Sequence, residues 1–307
     1  MKLIFKIAAA LGLIFCSAEA KAATLGTHYD VTGGGGVKLS AYSWGNQNGP
    51  AILFIHGVEQ SHLIWDHQYD SALAKEFRIV ALDLRGQGES EKPADVAAYN
   101  TSALYADDIA AVINTLGLKK PVAVAWSAGG FVLCDYLRKY GDGDLSGINF
   151  VAVSTKRGVP GAEKLKGAGS STGNSAAGLH SERAEDEIDS TMAFVKSMAY
   201  KPLPPEEFTR IVALNMMTPP NIRAILSVRP VDNGDVLAKI RVPVMLSYGL
   251  KDVVINPDTA GHYVASAIPA ANLNYYEDAG HLLFIDQADR YNADLREFVF
   301  KASNKQP

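Results

Sequence analysis

A serine flanked by small residues, Ala125-Trp126-Ser127-Ala128-Gly129, sits where an apolar run of strand length gives way to a helical stretch. A sharp strand-to-helix turn needs small neighbours, because its backbone is strained and adjacent segments come close. The usual pattern is G-x-S-x-G; here alanine takes the first glycine position, and it is small enough for that role. Such a turn lifts the serine oxygen above a sheet and faces it with a helix amino terminus, which favours developing negative charge. The chemistry that fits is nucleophilic attack by Ser127, against the plainer account of a helix-capping serine. A serine hydroxyl is a weak nucleophile at neutral pH and needs an adjacent base. Among seven histidines, His281 and its rival His56 are candidates for that base, and Asp252 and its rival Asp258 for the acid that orients it.

The elements that would position these groups are readable from apolar runs of strand length at 51–55 (AILFI), 78–84 (RIVALDL), 122–126 (VAVAW), 148–153 (INFVAV) and 242–248 (VPVMLSY). They are continuous rather than alternating, as expected of strands covered by helices on both faces. Helical stretches at 101–116 and 129–139 fall between them, so the expected fold is α/β, with a doubly wound, mostly parallel sheet. Reactive groups in such folds gather at the carboxyl ends of the strands. Two opening strands, 28–31 and 37–43, flank Gly33 to Gly36; without a following Lys-Ser/Thr or a helix, that run reads as a flexible hairpin turn. The alternation breaks at 156–239. A Gly/Ser/Ala-rich loop at 167–178 leads into helical segments at 182–199, 205–217 and 221–227, punctuated by prolines. This reads as an inserted helical cap, dividing the core into 23–155 and 240–307.

At the amino end, Lys2 and Lys6 precede a short apolar stretch and two overlapping A-x-A sites, Ala18-Glu19-Ala20 and Ala20-Lys21-Ala22. That order is the signature of a secretory signal peptide over residues 1–22, cleaved near Ala20 or Ala22, and implies export to the periplasm or medium. The apolar stretch is too short for a bilayer, so no stable membrane insertion is expected after cleavage. Cleavage would leave Cys134 as the sole thiol, in an apolar helical segment where it reads as a small buried hydrophobe. The formal net charge of -4 argues against nucleic acid as a partner. C-x-x-C and H-E-x-x-H are absent, and His62 and His67 are poorly spaced for one helix face, so neither metal nor cofactor is expected.

Four segments, in order and spacing, resemble the α/β-hydrolase superfamily across almost the whole mature chain: Ile55-His56-Gly57-Val58, the D-x-R-G-x-G-x-S turn at 83–90, Tyr248-Gly249-Leu250-Lys251-Asp252, and Ala279-Gly280-His281. With the elbow at Ser127, the likeness is greatest to the serine esterase and cofactor-free haloperoxidase-like branches. The resemblance implies Ser127 as nucleophile, His281 as base and Asp252 as its orienting acid, with the backbone N–H groups of Val58 and Ala128 holding the oxyanion. It makes His56 a buttress of the oxyanion loop, and Asp83 and Arg85 structural parts of their turn. Trp65, Trp126, Met216 and Met217 are candidates for the substrate pocket. Serine at the elbow excludes reactions that need an aspartate there, namely haloalkane dehalogenation and epoxide hydrolysis. The implied reaction is hydrolysis of a small or medium carboxylic ester. Perhydrolysis, C–C bond or lactone hydrolysis, and a non-catalytic binding role are the alternatives. Many relatives carry proline soon after the H-G pair, where this chain has Val58-Glu59-Gln60, a departure that counts against perhydrolysis.

Overall fold

The computed structural model describes residues 25–169, 181–268 and 270–304; the expected signal segment and most of the loop at 167–178 lie outside them. Eight strands form one sheet: β1 (Thr27–Thr32), β2 (Lys38–Gly45), β3 (Ala51–Ile55), β4 (Arg78–Leu82), β5 (Val122–Trp126), β6 (Gly147–Val151), β9 (Val244–Gly249) and β10 (Ala271–Tyr276). A separate two-stranded ribbon joins β7 (Lys156–Arg157) to β8 (Val231–Asp232). The large sheet runs β1-β2-β4-β3-β5-β6-β9-β10, with β2 antiparallel to both its neighbours and every other adjacent pair parallel. This is the doubly wound, mostly parallel sheet that the apolar runs imply.

Along β3, Ile52 and Phe54 enter one apolar layer while Leu53 and Ile55 enter the other. Helices α1 (Ser102–Thr115), α2 (Gly129–Tyr140) and α6 (Pro257–Ala267) supply the layer on the Leu53 side, through Ile109, Leu133 and Val264. The carboxyl-terminal helix α7 (Ala288–Asn304) supplies Leu295 and Val299 to the other. Burial on both faces removes the period-two signal, which is why these strands read as continuous apolar runs.

Several strand ends differ from expectation, and three of them have a clear local reason. β4 stops at Leu82 because Asp83 turns away, its carboxylate accepting the backbone N–H groups of His62 and Glu89. β6 stops at Val151 because Ala152 takes a left-handed φ of 46°. β9 starts at Val244, after Pro243, which has no N–H for a ladder. The glycine turn joins β1 to β2 as expected, but it is pinned rather than loose. Gly34 donates its N–H to Asp108 Oδ1 (2.9 Å) and accepts Arg85 Nη2 (2.8 Å), while Arg85 grips Asp108 through Nε and Nη2 at 2.6 and 2.7 Å.

That ion pair is fully buried. Removing one partner of a buried pair strands the other charge without compensation, at about 3–5 kcal/mol. Asp108→Ala is therefore expected to lower unfolding stability by that order in a urea melt. A change below about 1 kcal/mol would mean the pair and the turn it ties are unimportant to the fold.

Between β6 and β9 the chain makes the excursion foreseen as a cap, built from α3 (Ala184–Met198), α4 (Pro205–Met216) and α5 (Pro220–Val228). Both α4 and α5 open on proline, whose fixed φ and missing N–H suit a first helical position. The three helices settle on the loops that follow β3, β4 and β10. Arg210 donates to the Leu63 carbonyl (2.8 Å) and Asp66 (2.5 Å), Ile222 joins Tyr99 in a small apolar cluster, and Met198 accepts the N–H of Leu282 (3.0 Å).

Candidate active site

Ser127, Asp252 and His281 follow β5, β9 and β10, all at the carboxyl edge of the sheet. Ser127 has φ 51°, a left-handed conformation that strains a residue with a Cβ. It is held by its backbone, whose N–H donates to the Val151 carbonyl (2.9 Å) and whose carbonyl accepts Gly130 N–H (3.0 Å). Close approach explains the small flanking residue: a Cβ on Gly129 would lie 2.6 Å from both the Ile55 and His56 carbonyl oxygens. Any larger residue at 129 would push the start of α2 away from β3.

His281 is buried, and its Nδ1 lies 2.7 Å from Asp252 Oδ2. The other carboxylate oxygen of Asp252 accepts the backbone N–H groups of Val254 (2.8 Å) and Ile255 (2.9 Å), which fixes its rotation. A carboxylate at Nδ1 sets the tautomer that leaves Nε2 with a lone pair. Trp126, the residue before the serine, donates its indole N–H to the His281 carbonyl at 3.0 Å. The elbow and the histidine loop are thereby tied together.

The rivals are accounted for. His56 gives Nδ1–H to the Gly57 carbonyl (2.6 Å) and accepts Leu84 N–H on Nε2 (3.0 Å), so both ring nitrogens are engaged. Burial lowers its basicity below the ordinary range. Asp258 is exposed on α6 and pairs with His262 at 3.0 Å, not with His281. His62 binds Asp83 through Nδ1, and His67 faces Glu207 at 2.7 Å. Among the described residues no cluster of His, Cys, Asp or Glu is arranged to hold a metal. Cys134 is buried and its thiol is pushed up by burial, as suits a packing residue.

The backbone N–H groups of Val58 and Ala128 have no acceptor among the described residues. Gly57 brings the two segments together, since a Cβ there would lie 3.3 Å from Ser127 Cβ. The four residues foreseen as pocket walls lie away from the small cavity beside Val58 and Ala128. Trp65 and Trp126 belong to a buried aromatic cluster with Phe54 and Phe284, Met217 packs against the same layer, and Met216 Sδ lies 3.7 Å from Arg223 Nη2. None of them lines the cavity that abuts Val58 and Ala128. A larger cavity, about 590 Å³, lies between α4 and residues 66–71, but no member of the Ser127–Asp252–His281 set borders it.

Sequence gave no signal for a buried charge cluster just behind Val58. Glu59, at φ 60°, sets its carboxylate 3.4 Å from Arg223, which also faces Glu187 at 3.4 Å and donates to the carbonyls of Thr218 and Asn215. Burial, opposed by the Arg223 cation and reinforced by Glu187, pushes Glu59 up from 4.5 to about 7. A raised carboxyl pKa means the fold holds a proton that the unfolded chain releases. Stability contributed by this group is therefore full below pH 4.5, falls as pH rises to about 7, and stays low above that. Glu59→Gln should raise Tm at pH 8 by an amount worth roughly 3 kcal/mol at most, and by almost nothing at pH 4.5. A Tm gain independent of pH would contradict this account.

The sequence model of the alpha/beta hydrolase family matches residues 52–294. The chain belongs to the alpha/beta hydrolase family. The "Bifunctional esterase/perhydrolase DCH" of Acinetobacter calcoaceticus is 27% identical over 286 residues, 88% of this chain and 98% of that one. The solved structure of the esterase RhEst1 from Rhodococcus sp. superposes with a TM-score of 0.81 at 28% identity, over 89% of this chain and 98% of the other. A local match, 42% over 110 residues, joins it to the "Probable oxidoreductase EphD" of Mycobacterium tuberculosis; it covers 36% of this alpha/beta hydrolase and only 18% of EphD.

Proposed function

We propose that the protein is a serine hydrolase that cleaves a small or medium carboxylic ester through an acyl-enzyme. The observation that carries this reading is the 2.7 Å Asp252–His281 contact, tied by the Trp126–His281 bond to the elbow that presents Ser127. His281 Nε2 takes the proton of Ser127 as its oxygen attacks the ester carbonyl. Asp252 keeps the imidazole oriented and stabilises its charged form. The negative oxygen of the tetrahedral intermediate is held by the free N–H groups of Val58 and Ala128, each donor worth about 10²–10³ in rate. The alcohol leaves with the proton from His281. Water, deprotonated by the same histidine, then releases the acid. Residues 156–239 act as the cap that shields this site, and a signal segment at 1–22 exports the enzyme to the periplasm or medium.

The test is labelling with a fluorophosphonate probe, alongside a chain-length series of p-nitrophenyl esters. Label on Ser127 and turnover of at least one ester are expected. An unlabelled Ser127 in folded protein would sink the covalent mechanism. A second reading, perhydrolysis, draws support from the relative DCH; there peroxide replaces water in the second half-reaction. Bromination of monochlorodimedone in acetate, peroxide and bromide, where peracid oxidises the bromide, separates the two.

A further inference from the structure

A cavity of about 30 Å³ lies against Val58 and Ala128, and three of its side chains are hydrogen-bond donors with capacity to spare. Arg157, on β7, donates Nε to the Arg229 carbonyl (3.1 Å) and stacks over Phe131 at 5.0 Å. Its terminal nitrogens have no acceptor, and no carboxylate pairs with it among the described residues. Tyr99 Oη is buried without a hydrogen-bond partner. Gln87 turns its Oε1 to the Glu59 N–H (2.5 Å), and its amide nitrogen has no acceptor among the described residues. Arg229, which also borders the cavity, is already neutralised by Asp135 at 2.6 Å. Asp135 in turn takes Ser102 Oγ (2.7 Å) and lies 3.4 Å from Arg138, which leaves it little capacity for Arg157.

Among the described residues the residual charge of this cavity is thus one cation, with no acid on its walls. Burial, with the Arg229 cation beside it, pushes Arg157 down to about 10, so it stays charged at neutral pH. A part-buried cation without a counter-ion is unfavourable unless a ligand supplies one. A planar guanidinium matches a carboxylate in shape and donor spacing. The cavity is small and suits a compact group such as a carboxylate.

The geometry points to an anion subsite in which Arg157, Tyr99 and Gln87 bind a carboxylate carried by the substrate, next to the carbonyl under attack. The substrate class is then esters or lactones that bear a free acid, such as monoesters of short dicarboxylic acids. This deepens the Ser127 reading and rests on it for the bond cleaved, though not for the binding itself.

The experiment compares kcat/KM for anionic esters and their methyl-capped neutral analogues in wild type, Arg157→Gln and Arg157→Lys. One pair, p-nitrophenyl hydrogen glutarate and its methyl ester, carries the acid on the acyl side. The other, 4-acetoxybutanoate and its methyl ester, carries it on the alcohol side. At least one pair should favour the anion in wild type by roughly 10–100-fold, the worth of a charge-assisted hydrogen bond. Arg157→Gln should bring that ratio near one, and Arg157→Lys should keep part of it, which also shows that the loss is not misfolding. Ratios near one in wild type for both pairs, or a ratio untouched by Arg157→Gln, overturn the proposal. In parallel, calorimetry with glutarate reads binding without turnover; Kd should rise at least tenfold in Arg157→Gln and rise also in Tyr99→Phe. If no ester is hydrolysed, the Ser127 reading fails while glutarate binding still decides the subsite. Absence of glutarate binding together with flat ester ratios overturns it, and glutarate binding with flat ratios makes the cavity a site for a free anion, which overturns it equally.

Discussion

Ser127→Ala is expected to lower kcat for p-nitrophenyl ester hydrolysis by roughly 10⁶-fold while leaving KM and the melting curve nearly unchanged. The size follows from what is lost. Without the hydroxyl there is no acyl-enzyme, and only the oxyanion donors and binding remain, which typically preserve about 10³–10⁴ over water. The fold should be indifferent because the elbow is held by backbone: Ser127 N–H on Val151, its carbonyl under Gly130 N–H, and Gly129 against β3. Fluorophosphonate labelling should vanish in the same variant. Residual activity within tenfold of wild type, in protein that melts normally, would remove Ser127 from the reaction.

Asp252→Asn should be nearly as damaging, about 10⁴-fold in kcat, and for a reason particular to this loop. Oδ1 of Asp252 accepts two backbone N–H groups, from Val254 and Ile255, and a carboxamide can satisfy both only with its oxygen. Its NH₂ is then forced toward His281 Nδ1, where the carboxylate oxygen stands at 2.7 Å. A donor at that place demands a lone pair on Nδ1, which moves the ring proton to Nε2 and leaves no lone pair there to take the serine proton. The nitrogen chemical shifts of His281 should report the exchanged tautomer. A variant with the wild-type tautomer and a similar loss of rate would show that charge, not proton placement, is what Asp252 contributes.

Much of this was legible in sequence where the signal is local. β3 and β5 are continuous apolar runs because both faces are covered, and the elbow announces itself by small residues packed around one serine. β10, Ala-Asn-Leu-Asn-Tyr-Tyr, carries no such signal. It is the last strand of the sheet, partly open to solvent, and its two asparagines break the apolar run. The ribbon β7–β8 is too short to show any period. The aromatic residues are less legible: Trp65 and Trp126 stand close to the expected site in sequence, and their rings pack together in a buried layer. Charge pairs were the least legible. Arg223 meets Glu59 and Glu187 only after the cap folds back, and Arg157 is distinguished by what it lacks, which no local pattern encodes.

The ribbon has a consequence for how such a chain can change. Pairing Lys156 with Asp232 and Arg157 with Val231 holds the two ends of the excursion side by side, one strand spacing apart, before they return to the sheet. The loop-closure entropy is met at that clasp, and each doubling of the enclosed length adds only about 0.6 kcal/mol. Chain closure therefore sets little limit on the length beyond the clasp; what a replacement must supply is the contacts that Met198, Arg210 and Arg223 make with the loops below. Arg157, sitting in the clasp itself, would be kept through any such change of length.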